Sequence, residues 1–424
     1  MTQAQVWQTY CHIWAHDNVY LMIRYNTSLR ARSIPETLVI AKKYAPHFGI
    51  TRVTNTTHLD NIGVPVYVSI RPDAMAGSLC VSSGKGLRTE EAMIGAYMEG
   101  IELAMIEPRR KRVPVQTVQV QDIFEGHDRE DAILDFGPKM GVTFASEEAI
   151  DAVKAVDINS GASHWIPAEI AFLPYRKGKR RFGSSTNGVS SGNSLEEATL
   201  HGILEVIERD IMSFQTVRGN SVVIHPDTFP ENVQEIYEKV QSAGHELSLR
   251  FGYNTFNLPF IIATLLDGET RDPVFVNGGY GCHFHASIAM VRAASEAVQS
   301  RLAYIHGGRD DLIDGYNLYK DWSYQQKVEK YQTISSNVLT MDNAINFADI
   351  PELKTPFDTL AAYLQYVQRM LQDLGFSHIL RVVYTDPAEP IQVVKIIIPK
   401  MEFFTQKNKN IGRRIKAYVD SFWA

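Results

Sequence analysis

Cysteine is scarce in this 424-residue chain: Cys11, Cys80 and Cys282 stand far apart, without a C-x-x-C pair. That spacing indicates neither a disulfide framework nor a structural zinc site, and it suits a reducing cytoplasm. Long apolar runs are missing as well, since none approaches the roughly 18 residues that a membrane span needs. The N-terminus lacks the basic start and unbroken apolar core of an export signal. Nor is there an excess of positive charge. Against 48 Asp and Glu stand 42 Lys and Arg, a net charge of -6, which argues against broad nucleic-acid binding. No low-complexity linker cuts the chain. No G-x-x-x-x-G-K-[ST] occurs, and "GKGLRT" departs from G-x-G-x-x-G, so P-loop and Rossmann sites lack support.

What is present is enough apolar sequence for a large core, 45% hydrophobic residues with 21% charged. Ser33 starts a helix at "SIPETLVIAKKYAPHFGI", with Pro35 in its first turn. "VPVYVSIRP" and "GSLCVSSGKG" read as strands, and "RTEEAMIGAYMEGIELAMI" as a long helix. From Glu107 to Ser163 the pattern weakens, with a short helix expected at "SEEAIDAVKAV". "HWIPAEIAFLPY" reads as buried strand. "PFIIATLLDGETRDPVFVNGGYGCHFH" reads as a hairpin turning at Asp267 and Gly268, followed by the helix "ASIAMVRAASEAVQSRLAYI". "SHILRVVYTD" and "IQVVKIIIP" are late strands, and "IGRRIKAYVDSFWA" a final helix. The fold class expected is α/β (α+β), with residues 1–30 as an extension and 31–424 as one domain.

One element repeats. At an offset of 106, "GKGLRTEEAMIGAYMEGIE" aligns without a gap on "SSGNSLEEATLHGILEVIE", so that Glu91 meets Glu197, Glu99 meets Glu205 and Glu102 meets Glu208. A weaker echo, "ASIAMVRAASEAVQ", keeps Glu296 and Gln299 at the same spacing. On a helix at about 100° per residue, Glu197, Glu205 and Glu208 share one edge. Leu200, Ile203, Leu204 and Ile207 form an apolar face that must be covered. Carboxylates beside a buried surface raise one another's pKa unless Lys and Arg, or a divalent cation, neutralise them. Magnesium suits such a set because it takes oxygen ligands from carboxylates and substrate phosphates. The small-residue loops before these helices expose N–H groups that favour anions. A nucleotide-phosphate and magnesium site is therefore expected; a solvated acidic face is the plainer explanation, which the recurrence disfavours.

The segments "SSTNGVSSGNSLEEATLHGILEVIERD", "SSGKGLRTEEAMIGAYMEGIE" and "AMVRAASEAVQSRLAYIHGGRDD" closely resemble the signature regions of the YcaO family, with similarity from about Arg30 to Pro399. The resemblance implies a YcaO-type ATP-binding fold built from repeated strand-turn-helix units, usually homodimeric. It implies an ATP- and Mg2+-dependent enzyme that phosphorylates a peptide amide oxygen while a nucleophile adds to the amide carbon. Carried over residue by residue, it implies ATP contacts at Ser190, Asn193, Glu197, Arg209, Arg292 and Glu296, with Gln299 and Arg301 as neighbours. Arg30 and Thr37 match a shorter N-terminal pattern. Magnesium ligands are implied at Glu99, Glu102, Glu205 and Glu208. Gly95 replaces the family's usual serine and Leu103 its usual arginine.

Segments such as "SIPETL", "FGITRV" and "VSSGKGL" look like the branch encoded beside TfuA-type proteins, where the resemblance implies thioamide formation on a ribosomally made peptide or protein with a TfuA-like partner. The C-terminal "RIKAYVDSFWA" lacks the P-x-P-x-P tail typical of azoline-forming members. The alternatives are an azoline-forming cyclodehydratase with a separate leader-binding partner, and a non-catalytic scaffold. Spacing fixes no Ser-His-Asp or Cys-His constellation, so no general base is assigned. "GCHFH" and "CHIWAH" are read as structural, and "PRRKR" and "RKGKRR" as solvated or peptide-docking surfaces.

Overall fold

A computed structural model describes residues 22–124, 129–145, 147–354, 356–405 and 409–422. Its strands form antiparallel sheets. A six-stranded sheet runs Gln116–Gln119, Ala149–Asp157, Leu380–Val383, Gln392–Ile397, Val189–Gly192, with Ser163–Pro167 also paired to Ala149–Asp157. A four-stranded sheet runs Ser221–Val223, Glu246–Gly252, Phe260–Leu266, Asn277–Cys282, and a three-stranded sheet Arg52–Asn55, Val66–Ile70, Val81–Lys85.

Three strand-turn-helix units organise the molecule. They are β1 (Val81–Lys85) with α1 (Thr89–Met105), β2 (Val189–Gly192) with α2 (Leu195–Arg218), and β3 (Asn277–Cys282) with α3 (Ala286–His306). Each of these strands ends the strand order of its own sheet. The helix contacts close a ring: α1 also packs on β2, α2 on β3 and α3 on β1. Each helix therefore touches the strand of the next unit as well as its own.

Residue size makes this closeness possible. A Cβ on Gly84 of β1 would lie 2.1 Å from both Ala92 O and Ala96 N of α1. The alanines of the "EEA" repeat and the strand glycines therefore act as one packing unit. Ser194 caps α2 by accepting the Glu197 N–H at 3.1 Å, and Gly219 ends it in the left-handed region at φ 65°. The apolar face of α2, Leu200, Ile203, Leu204 and Ile207, is at most 4% exposed, packed with Ile396, Tyr363 and Val367. Burying each such side chain stabilises by about 1.5–3 kcal/mol.

Three local expectations are corrected. "SEEAIDAVKAV" is not a helix: Ala149–Asp157 is a strand, with Val153, Ala155 and Asp157 buried and Lys154 and Val156 exposed. Its alanines suggest a helix, but the alternation of period two decides. In "HWIPAEIAFLPY" the strand stops at Pro167 and Ala168–Ala171 turns helical. That turn buries Glu169, which accepts the N–H groups of Arg181, Phe182 and Gly183. The third concerns the hairpin, whose strands pair as expected. Its connection is the longer loop from Asp267 to Val276, with the Asp267 carboxylate accepting the Glu269 and Thr270 N–H groups.

Candidate active site

The three helices deliver their carboxylates into one cavity of about 510 Å³: Glu99 and Glu102 from α1, Glu197, Glu205 and Glu208 from α2, and Glu296 from α3. Backbone groups hold two of them within their own units. Ser83 N–H donates to Glu99 Oε2 at 2.8 Å, and Gly188 N–H to Glu205 Oε1 at 3.2 Å. Three more are held across units, following the ring of packing. Ser191 Oγ of β2 donates to Glu102 Oε1 at 2.5 Å, Cys282 N–H of β3 to Glu208 Oε2 at 2.9 Å, and Lys85 Nζ of β1 to Glu296 Oε2 at 2.7 Å.

Positive charge is unevenly shared. Burial pushes the Glu296 carboxyl up, but Lys85 and Arg209 outweigh it and hold the group below the usual carboxylate range. Glu208 pairs with Arg209 at 2.8 Å. Burial raises the Glu99 carboxyl despite the opposing charge of Arg309. Burial also lifts Glu102 to about 8, with Glu205 and Glu99 adding repulsion that the Ser191 hydrogen bond does not offset. Glu205 is raised by burial too, against the pull of Arg209. The carboxylates of Glu99, Glu102 and Glu205 are thus short of counter-charge, and an all-oxygen donor set of this kind fits a hard divalent cation.

A second network closes the N-terminal side. Arg30 Nη1 pairs with Glu197 Oε1 at 2.9 Å, and Ala31 N–H donates to Glu197 Oε2 at 2.9 Å. Thr37 Oγ1 donates to Asn193 Oδ1 at 3.1 Å. Glu91, the repeat partner of Glu197, does the corresponding work on α1: it accepts Thr27 Oγ1 at 3.0 Å and Leu87 N–H at 3.0 Å. Residues 27–31 are thereby tied to the starts of both helices.

Of the site residues expected from sequence, all but Ser190 line this cavity. Ser190 Oγ turns toward α2 and donates to Ala198 O at 2.7 Å, so the alternation of β2 presents Ser191 instead. Gln299 lines the cavity, whereas Arg301 lies elsewhere, bonded to Asp60 at 3.0 Å. Glu196 is exposed, beside buried Glu197. Gly95 has a steric reason: a Cβ there would stand 3.1 Å from Gly84 Cα. Leu103 is buried.

Glu91, known from the repeat as the partner of Glu197, also lines the cavity, and so do Lys85, Ser191, His201 and Arg309, which the sequence alone does not single out. His201 does have a signal in the spacing, lying four residues after Glu197 and four before Glu205 on the same helical edge. Burial and the Arg292 charge push the His201 pKa far down, so the ring is neutral, with Nε2 3.3 Å from Arg292 Nη2. Arg309 comes from the chain beyond α3 and gives Glu99 a guanidinium that no helical period announces.

The remaining motifs resolve into structure. His283 and His285 of "GCHFH" are buried, with His285 Nε2 2.8 Å from Tyr363 Oη, and the Cys282 thiol is pushed up by burial. "CHIWAH" lies outside the described residues. The basic runs are not simply solvated: Arg112 pairs with Glu389 at 2.8 Å, and Arg181 is buried against Glu148. Asp157, His164 and His378 bring ligand-type atoms within 4.8 Å of one another, but the Asp157 carboxylate accepts Ser160 Oγ and the Ile379 N–H. Among the described residues no helix is long and apolar enough to cross a membrane.

Comparison with known proteins adds four relations. The model of the family described as YcaO cyclodehydratase, ATP- and Mg2+-binding, matches residues 83–402. An uncharacterised protein of Methanothermobacter thermautotrophicus is 30% identical over 377 residues, 88% of this chain and 94% of that one. A protein of Rhizobium leguminosarum bv. trifolii, designated by its place in the tfuA 3′ region, is 28% identical over 393 residues, 88% of each chain. Among solved structures, YcaO from Methanopyrus kandleri, bound with AMPPCP and Mg2+, superposes with a TM-score of 0.73 at 19% identity, covering 93% of this chain and 98% of that one. At that identity the likeness is one of fold.

Proposed function

The chain belongs to the YcaO family of ATP- and Mg2+-dependent enzymes, and from that premise we propose that it converts backbone amides of a ribosomally made peptide or protein into thioamides. The observation that carries the ATP and magnesium part of this reading is the cavity in which burial raises the Glu99, Glu102 and Glu205 carboxyls beyond what nearby cations such as Arg309 and Arg209 offset. Glu99, Glu102, Glu205 and Glu208 would hold magnesium, which supplies charge neutralisation for bound phosphates. Arg209 and Arg292 offset the remaining phosphate charge, and Arg30, Thr37, Asn193, Glu197 and Glu296 complete the nucleotide contacts. Arg209 suits that role because Glu208 and Glu205 hold its charge firmly against the cost of burial.

The chemistry balances with a hydrosulfide donor. Sulfur adds to the amide carbon, and the resulting oxyanion takes the γ-phosphoryl group with release of ADP. Loss of the S–H proton and of phosphate, carrying the former amide oxygen, leaves C=S. The relative in the tfuA region supports this product and a TfuA-like partner, and we propose a homodimer acting in the cytoplasm. The family description as cyclodehydratase favours a second reading, azoline formation from Cys, Ser or Thr.

Intact-mass measurement of a candidate peptide after incubation with Mg-ATP, sulfide and the partner separates the two. Exchange of oxygen for sulfur adds about 16 Da, whereas cyclodehydration removes about 18 Da. An unchanged mass with every neighbouring-gene peptide contradicts both.

A further inference from the structure

Beside the carboxylate cavity lies a second, of about 350 Å³, lined among others by Ile170, Leu173, Phe182, Asn187, Lys395 and Met401. The two cavities adjoin along residues 185–187 and 205–206. Thr186 and Glu205 face the first, Ser185, Asn187 and Val206 face the second, and Gly188 N–H bonds to Glu205 across the join. Lys395 projects there from the strand Gln392–Ile397, only 2% exposed. The one hydrogen bond of its side chain among the described residues runs from Nζ to Ser185 O at 2.6 Å. Asn187 Oδ1 is buried and has no hydrogen-bond partner among the described residues.

A buried ammonium with a single carbonyl acceptor is costly to keep, and so is an orphaned buried amide oxygen. Both residues line this cavity, Lys395 with spare N–H donors and Asn187 with a spare acceptor. A peptide amide presents the complement, a C=O acceptor and an N–H donor. We propose that this second cavity receives the backbone amide to be activated, Lys395 donating to its carbonyl oxygen and the Asn187 side chain pairing with its N–H. The apolar walls accommodate flanking side chains, and the amide oxygen is presented at the join of the two cavities, next to Glu205, where the γ-phosphoryl group of the first cavity must reach it. An ammonium there also stabilises the oxyanion formed when a nucleophile adds to the carbon. The assignment rests on the amide-activation reading above.

Photocrosslinking tests it without knowledge of the natural substrate. The probe is the blocked tripeptide N-acetyl-glycyl-(4-benzoylphenylalanyl)-glycinamide, applied to the full chain with Mg-ATP. Adducts are expected on residues of this cavity, Met401 and Leu173 in particular, with yields falling about tenfold in Lys395→Met and in Asn187→Ala. Replacing a buried ammonium by methionine is compatible with folding, and a thermal melt of both variants verifies it. Adducts mapping elsewhere, no adduct at all, or equal yields in both folded variants overturn the assignment. Absence of any peptide modification by the wild type, with the adducts in place, overturns the amide-activation reading and leaves the binding site standing.

Discussion

The Cys282 N–H of β3 donates to Glu208 of α2 at 2.9 Å, so a carboxylate carried by one unit is set by the strand of the next. Ser191 and Glu102 repeat the relationship between the first two units. The ring of strands and helices is therefore a positioning device as well as a core: no carboxylate set belongs to a single helix, and packing faults in one unit displace ligands of another.

Gly84→Ala addresses that coupling. The added Cβ meets the Ala92 and Ala96 backbone at 2.1 Å, and the strand and α1 must separate to admit it. Overpacking of this kind costs about 1–3 kcal/mol, measurable by urea unfolding. Because Glu99 and Glu102 ride on α1, Mg-ATP affinity is expected to fall with stability. Unchanged stability contradicts the tight crossing.

Two adjacent glutamates provide an internal control. Glu196 is exposed and Glu197 is buried in the Arg30 and Ala31 network. Glu196→Gln is expected to stay within about 0.5 kcal/mol of the parent and to bind Mg-ATP normally. Glu197→Gln leaves Arg30 without its charged partner and is expected to cost about 1–3 kcal/mol, with weaker nucleotide binding by calorimetry.

Proton linkage follows from Glu102. In the cation-free fold its carboxyl is lifted to about 8 from the ordinary 4.5, so the folded state holds a proton that the unfolded state has released between those values. Stability from this group is full below 4.5 and is lost as pH rises toward 8. Metal-free protein is therefore expected to be more stable at pH 6 than at pH 8, and excess Mg2+, which displaces the proton, should flatten the difference. Calorimetry at pH 7 in buffers of different ionisation enthalpy should record proton release on Mg2+ binding.

How far the chain announces this in advance varies by element. Period and repetition reveal α1, α2 and α3 and their stripe because helical spacing is local information. The helices Glu231–Ser242, Tyr324–Leu339 and Leu360–Asp373 stand outside the repeat and carry none of its carboxylates, and the alanines of "SEEAIDAVKAV" favour a helix where alternating burial and sheet pairing make Ala149–Asp157 a strand. Glu99, Glu205 and Glu208 converge as their spacing suggests, whereas Ser190 and Ser191 are separated by strand register, which only pairing with Gln392–Ile397 fixes. Arg309, Lys395 and Asn187 meet the cavities through tertiary packing, and no motif marks them.

The central claim is that the carboxylate ring binds nucleotide through magnesium, and titration calorimetry of AMPPCP with Mg2+ against wild type and Glu205→Gln tests it most directly. Glu205 accepts only the Gly188 N–H among the described residues, so a neutral isostere preserves the fold while removing charge. The account expects binding by the wild type that requires Mg2+ and weakens about a hundredfold in Glu205→Gln, some 2.7 kcal/mol. Equal affinity in the two proteins, or wild-type binding indifferent to Mg2+, would contradict it.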